Sequence, residues 1–241
     1  MAITGSSLLV GCGGGYSNGS CGSYGSCGPT SAYLSVGGVY EGTVQGTTPV
    51  VAIFTENGDG RISGQDGTYY HLTVATQGNT VSGNYFADST GPLFPNGTSS
   101  TTGSMSAVLA PTALNGTLID QSGLSAALSL NFDTVYNIGS ALPTLAGTWS
   151  YTATGFSLTA TILSNGSFTA VDSAGCSYTG TFYLIDPNFD AYGENHVLSC
   201  NGINTNYAGL ATYFPPAGNI GAQIGLLADD NAGNDLVVTF Q

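Results

Sequence analysis

The sequence predicts an all-β protein: an antiparallel up-and-down meander in two related barrel-like or sandwich-like halves, with almost no helix. Short runs of alternating apolar and polar residues recur along the chain, and Gly, Pro, Asn and Asp separate them. No window of eleven residues has the apolar spacing of an amphipathic helix. The halves also repeat one pattern, because residues 34–40 (LSVGGVY) align with residues 144–149 (TLAGTW).

The first half reads as a series of short strands. The segment ENGDG, residues 56–60, predicts a hairpin turn because Asn-Gly suits the positive φ angles of a tight turn. Residues 88–104 contain two prolines and many turn-forming residues, so we predict a loop or a weak edge strand there. The predicted strands are 36–42, 49–55, 61–63 with 67–74, 80–87, 105–109, 112–119 and 124–133.

The second half is the clearer meander, and it centres on residues 147–200. Phe156, Leu158, Ala160 and Ile162 alternate with polar residues, which predicts a strand with one buried face. Asn165-Gly166 then turns the chain. The later predicted strands are 168–170, 176–184, 192–200, 207–213, 222–227 and 236–240.

These patterns divide the chain into four segments. Two β-meander domains follow a short N-terminal segment and a linker. The boundaries are 1–12 for a truncated signal with a lipobox, 13–31 for a flexible Gly/Ser-rich tether, 32–138 for the first β domain and 139–241 for the second.

The N-terminal segment contains Leu9-Val10-Gly11-Cys12, which resembles the lipobox of bacterial lipoproteins. We therefore expect Cys12 to be lipidated and to anchor the protein to the bacterial outer membrane, on the periplasmic side or at the cell surface. The alternative is an ordinary thiol, because no Lys or Arg and only a short apolar run precede Cys12.

The charge composition excludes one class of partner. Only 6% of the residues are charged, the formal net charge is −13, and the single basic side chain is Arg61. Binding to nucleic acid needs several Lys or Arg side chains to neutralise phosphates, so nucleic acid is not an expected partner. An electrostatic hold on anionic lipid is excluded for the same reason.

The second half contains a recurring set of residues: the opening LAGTW, Asp172, Gly175, Cys176, Tyr178, Gly180, Asp186-Pro187, Tyr192, Cys200 and the late segment NYAGLATY. This set resembles uncharacterised lipoproteins of Gram-negative bacteria. The resemblance covers residues 33–241 and implies an envelope compartment and a β fold, without an established activity.

A weaker resemblance is to lipocalin-type barrels and to the small barrels of transferrin-binding-type surface lipoproteins. Lipocalins carry a Gly-x-Trp near their first strand, which Gly147-Thr148-Trp149 matches and Gly38-Val39-Tyr40 matches less well. This resemblance implies barrels and makes Trp149 and Tyr40 possible ligand contacts.

The cysteines predict disulfides. Cys176 and Cys200 fall on neighbouring predicted strands, where a bridge would join them in an oxidising compartment; the alternative is two buried free thiols. Cys21 and Cys27 are expected to form a loose local disulfide, because no His or second Cys pair completes a zinc site. We predict neither a metal nor a cofactor.

Glu194 and His196 are the candidate polar pair. They share one face of a predicted strand with Tyr192, Leu198 and Cys200, so both would lie on the apolar side. A buried Glu-His pair would be a ligand contact or a catalytic dyad. A β-bulge near Gly193 is the alternative, and it would return both side chains to solvent. His71, in contrast, is expected at a barrel end or on the surface.

We therefore predict a non-enzymatic binding or interaction module of the cell envelope. Its partner would be a protein, a glycan stacked on some of the 14 tyrosines, or a small apolar ligand. The alternatives are a lipocalin-like carrier of a small apolar ligand and an envelope enzyme that uses Glu194 and His196.

Overall fold

The computed structural model describes residues 35–94 and 96–241. Over these residues the protein is built from sixteen antiparallel strands with two short helical turns, which confirms the predicted all-β meander. The strands are β1 Gly38–Val44, β2 Thr48–Phe54, β3 Asp59–Gly64, β4 Thr68–Gln77, β5 Thr80–Ser89, β6 Ser100–Ala110, β7 Ala113–Asp120, β8 Ser125–Asp133, β9 Gly147–Ala153, β10 Phe156–Ile162, β11 Ser167–Asp172, β12 Ser177–Leu184, β13 Tyr192–Cys200, β14 Ile203–Phe214, β15 Gln223–Asp229 and β16 Asp235–Phe240.

Strands β1 to β8 form a closed barrel, barrel 1, in which β1 pairs with both β2 and β8. Strands β9 to β16 form a second up-and-down sheet, barrel 2. This sheet approaches closure, because the amides of Ser150 and Gln241 each donate to the other residue's carbonyl oxygen, at 3.0 and 2.8 Å. A 3-10 turn at Thr134–Ile138 and the four-residue helix α1 at Leu142–Leu145 connect the barrels.

Alternation along each strand fills both barrel interiors with side chains. In β10, for example, Leu158, Ala160 and Ile162 are buried and face inward, as predicted. The core of barrel 1 is Val36, Tyr40, Val44, Val50, Ala52, Phe54, Ile62, Tyr70, Leu72, Val74, Val81, Tyr85, Ala87, Phe94, Met105, Ala107, Leu109, Leu114, Leu118, Leu128 and Leu130. The core of barrel 2 includes Leu145, Phe168, Tyr178, Phe182, Tyr192, Ile224, Leu226, Val238 and Phe240.

The two barrels repeat the same local contacts at a spacing of about 109 residues. The hydroxyl of Tyr40 donates to the carbonyl oxygen of Val36 at 2.9 Å, and Nε1 of Trp149 donates to that of Leu145 at 2.8 Å. These contacts confirm the predicted relation between the halves. Tyr40 and Trp149 both anchor the chain that enters the first strand of their barrel.

The hairpins repeat as well. Gly58 and Gly166 both adopt left-handed φ angles, of 85° and 86°, and each donates its amide to the carbonyl three residues back. A Cβ on either glycine would lie within 2.4 Å of a backbone oxygen of the neighbouring strand, so only glycine fits.

Residues 88–104 were predicted as a loop or a weak edge strand, and the loop interpretation is wrong at both ends. Strand β5 runs to Ser89, and β6 already begins at Ser100. Thr and Ser were interpreted as turn residues there, but β-branched Thr also suits a pleated strand, and cross-strand pairing with β5 decides its conformation.

Tyr40→Phe is expected to lower the free energy of unfolding by about 1–2 kcal/mol, because the buried carbonyl of Val36 loses its donor. Chemical denaturation measures this loss. Tyr183→Phe is the matched control, since Tyr183 is 46% exposed, and it should change stability by less than about 0.5 kcal/mol. Equal effects of the two substitutions would contradict the anchoring role of Tyr40.

Candidate functional site

The two barrels meet along the outward faces of β1 to β4 and of β14 and β15. Val39, Ile53 and Tyr69 of barrel 1 pack with Leu210 and Leu227 of barrel 2 in one buried apolar cluster. Tyr136 of the connecting 3-10 turn joins this cluster and stacks on Phe189. The two barrels therefore share a buried contact surface, which contains this cluster and which we call the junction.

The single cation of the chain lies in the junction. Arg61 on β3 is only 3% exposed, and it pairs with Asp59 through Nη1. Its Nε lies 2.9 Å from Oδ2 of Asp229 on β15, with an N–H direction that makes this an ion pair rather than a hydrogen bond. Arg61 thus holds a carboxylate of each barrel.

Two further side chains from barrel 1 reach the same carboxylate. The Tyr69 hydroxyl donates to Oδ2 of Asp229 at 3.3 Å, and Nδ1 of His71 lies 3.3 Å from Oδ1. Burial raises the pKa of Asp229, but the His71 hydrogen bond and the Arg61 charge outweigh burial and hold that pKa below its ordinary value. His71, which was expected at a barrel end or on the surface, is instead half-buried, because β4 turns it toward barrel 2.

A groove runs along the junction beside β1 and β2. One part, of about 300 Å³, lies between the barrels and is lined by Val39, Glu41, Val51, Ala52, Ile53, Asp133, Thr212, Phe214, Gln223, Gly225, Leu226, Leu227, Val237, Val238 and Thr239. The adjoining part, of about 550 Å³, shares Glu41, Val51 and Val237 with it and continues across barrel 1 to Gln65 and Asn131. The part between the barrels is lined mostly by apolar residues, whereas the adjoining part also includes Ser63, Gln65 and Asn131. The charged groups of the groove are the carboxylates of Glu41 and Asp133.

The candidate pair Glu194 and His196 lies inside barrel 2. The β12–β13 register is continuous from Ser177↔Ser199 to Leu184↔Tyr192, so the bulge considered near Gly193 is absent. Glu194 is fully buried, and its Oε1 lies 2.8 Å from Nδ1 of His196. Burial raises the pKa of Glu194, and the hydrogen bond from His196 opposes that rise.

The surroundings of this pair are closed. The ring of His196 stacks on Tyr207 at 4.8 Å between centroids, and Tyr178 and Phe168 pack nearby. The cavity beside His196 measures about 10 Å³, which is about the room that one water needs. Glu194 and His196 have the contact distance of a catalytic dyad, but a substrate has no room beside them.

The structure places Cys176 and Cys200 in a disulfide, with their Cα atoms 4.6 Å apart. The bridge joins the segment before β12 to the end of β13, as the predicted neighbouring strands required. Tyr40 and Trp149, the other possible ligand contacts, lie toward the barrel cores. Cys12, Cys21, Cys27 and the segments 1–12 and 13–31 lie outside the described residues.

Among the residues that the structure describes, no three His, Cys, Asp or Glu side chains are grouped closely enough to hold a metal ion. The same residues contain no helix with the length and hydropathy needed to cross a membrane.

The sequence did not identify the Arg61 cluster as a site. One signal was available: β2, TPVVAIF, and β15, QIGLLAD, are apolar on both faces, which is typical of strands buried on both sides. An isolated arginine beside such strands indicates a buried ion pair, although its partner comes from 168 residues further along the chain.

No protein-family model and no curated protein matches the chain. Among solved structures, a putative outer membrane protein from Bacteroides fragilis is similar to this chain, at 10% sequence identity and a TM-score of 0.28. The match covers 85% of this chain and 96% of that one.

Proposed function

We propose that the protein is a non-enzymatic interaction module of the bacterial cell envelope, anchored through a lipid on Cys12, and that the groove at the junction binds a cationic, partly apolar peptide segment of a partner protein. The groove, which combines apolar side chains with the carboxylates of Glu41 and Asp133, is the observation that carries this proposal. The lipobox resemblance at residues 9–12 supports the anchor.

The barrel interiors favour binding on the outside. A carrier of a small apolar ligand needs a cavity of a few hundred Å³. The cavity in barrel 2 is about 10 Å³, and apolar side chains fill barrel 1. The groove, in contrast, offers spaces of about 300 and 550 Å³ that open to solvent.

The negative net charge of the protein favours a cationic partner. The chain has one Lys or Arg side chain, and Arg61 is buried, so the protein presents carboxylates and no basic side chain to a partner. In the groove, Glu41 is exposed and Val51 is 44% exposed. A segment that alternates basic and apolar side chains would pair with Glu41 and cover Val51.

Binding of the fluorescein-labelled peptide Leu-Lys-Val-Lys-Leu-amide, in which basic and apolar side chains alternate, tests the groove when it is followed by anisotropy. Glu41→Gln combined with Val51→Ser is expected to weaken binding about tenfold at low salt, because a charge pair and an apolar contact are both lost. Val171→Ser is the matched control, since Val171 is 55% exposed on barrel 2 outside the groove.

Two results would overturn the groove. One is equal binding of a peptide in which Glu replaces both lysines. The other is an equal loss in the Val171→Ser control. Mass spectrometry of the protein from its own envelope tests the anchor separately: an acylated chain that begins at Cys12 is expected, and an unmodified thiol at Cys12 would remove the anchor without affecting the groove.

A further inference from the structure

Asp88 is a buried carboxylate without a partner. It lies on β5, faces out of barrel 1 toward barrel 2, and is 4% exposed. Neither of its carboxylate oxygens accepts a hydrogen bond. A Cβ placed on Gly233, in the β15–β16 turn, would lie 3.9 Å from Oδ2 of Asp88, so this carboxylate is aimed at that turn.

Barrel 2 presents more carboxylates at the same place. Asp235 on β16 pairs with Asp229 on β15, so the two side chains lie on one face of the sheet, about 5 Å apart at Cβ. Asp88 pairs across the β4–β5 ladder with Tyr69, whose hydroxyl contacts Asp229. The ladders of both barrels therefore bring Asp88 and Asp235 to one point of the junction.

The other charged groups nearby are already matched. Arg61 pairs with Asp229, His71 contacts the same carboxylate, and both side chains also contact Asp59. Asp230 accepts the amides of Ala232 and Asn234 at 2.8 and 3.0 Å, and the Asn234 side chain at 2.6 Å. Within the part of the chain that the structure describes, no cationic side chain pairs with Asp88 or Asp235.

The surroundings of Asp88 and Asp235 disfavour the charged form of both carboxyl groups. Burial, with the charges of Asp235, Asp229 and Asp230, raises the pKa of Asp88 to about 6. Burial and the charges of Asp229 and Asp230 also raise the pKa of Asp235, against its backbone hydrogen bond. A bound cation would compensate the negative charges of Asp88 and Asp235 near neutral pH.

We propose that Asp88 and Asp235 bind a calcium ion that bridges the two barrels. All the donors are hard oxygens, which suit Ca²⁺ rather than Zn²⁺. Because no third acidic side chain among residues 35–94 and 96–241 completes the group, carbonyl oxygens and water supply the other ligands. The affinity then falls in the range of about 10⁻⁴–10⁻³ M that is typical of extracellular modules. Such a site is separate from the groove and would hold the junction together.

Thermal unfolding of the full chain at about pH 7.5, after treatment with EDTA, tests the site. Addition of about 5 mM CaCl₂ is expected to raise Tm by about 4 °C. Asp88→Asn and Asp235→Asn should abolish that rise, and calorimetric titration with CaCl₂ should lose its binding heat in both variants. Asp186→Asn, a substitution in the loop between β12 and β13, should keep the full response.

Three outcomes would overturn the site. The first is a wild-type Tm that does not respond to CaCl₂. The second is an undiminished response in Asp88→Asn. The third is an equal rise with NaCl at matched ionic strength, because that result would show general screening of the net charge of −13. Titration of folded variants at room temperature separates lost binding from lost stability.

Discussion

Arg61→Met is expected to lower the free energy of unfolding by about 4 kcal/mol, because removal of one member of a buried ion pair leaves the other charge uncompensated. The remaining charge is Asp229, whose side chain is 3% exposed. His71 and Tyr69 still contact that carboxylate, but neither replaces the guanidinium. Methionine keeps most of the apolar stem of arginine, so the loss reports on charge rather than on volume.

Urea denaturation, followed by the fluorescence of the single tryptophan Trp149, measures this loss. The double variant Arg61→Met with Asp229→Leu is the matched control. Because it removes both charges of the Arg61–Asp229 ion pair, it should be more stable than Arg61→Met alone by about 2 kcal/mol or more. A double variant that is less stable than Arg61→Met would show that packing, and not the pairing of charges, explains the effect.

Local rules explain why so much of the fold was predictable. Asn165-Gly166 requires a tight turn, and Gly166 adopts the positive φ angle of 86°. The period-two pattern of 156–162 likewise determines which face of β10 is buried. In an up-and-down topology each strand pairs with the strand that precedes it and the strand that follows it in sequence. The order of strands in the sheet therefore follows from the order of the turns along the chain. Barrel 1 adds a single non-local pairing, between β1 and β8.

The junction depends on relations that no local pattern contains. Val39 and Ile53 face outward from barrel 1, and alternation alone would place them in solvent. Val39 and Ile53 are buried only because they pack against the outward faces of β14 and β15, which lie more than 150 residues later. Leu210 and Leu227 on these two strands complete the cluster. The sequence could indicate which strands are buried on both faces, but it could not indicate which strands pack against each other.

For the candidate pair Glu194 and His196, too, local alternation predicted the face of the strand, but it did not predict the packing around the pair. Alternation in β13 placed Glu194 and His196 on the inner face, and the structure has them there. Whether the pair lies in a cleft or in a filled core depends on Phe168, Tyr178 and Tyr207, which come from three other strands. The volume left beside a side chain is set by such packing and has no signature in the spacing of residues.

Stability is expected to fall as pH rises from about 4 to about 7, by on the order of 3 kcal/mol, because Asp190 is buried with one carboxylate oxygen unpaired. Its Oδ2 accepts the Thr212 hydroxyl at 2.8 Å and the Tyr213 amide at 3.0 Å, but Oδ1 has no partner. Burial outweighs these hydrogen bonds and raises the pKa of Asp190 to about 7.

The sign follows from proton binding. An unfolded aspartate releases its proton near pH 4, whereas folded Asp190 keeps its proton up to about pH 7, so each pH unit between these values favours the unfolded chain. Above about pH 7 the curve levels off. Asp229 acts in the opposite sense, because its lowered pKa removes stability only as pH falls below about 4. Tyr192, with a pKa raised to about 12 by burial, stays neutral throughout.

Asp190→Asn tests the assignment, because an amide resembles the protonated acid and cannot ionise. In EDTA, urea denaturation at several pH values should show wild type losing stability from about pH 4.5 to about pH 8, while Asp190→Asn loses less over the same range, by on the order of 3 kcal/mol. The residual slope belongs to the other buried carboxylates, Asp88 among them. A variant curve parallel to wild type would exclude Asp190 as the titrating group, whereas a flattened one identifies the buried carboxylate that joins the β12–β13 loop to β14.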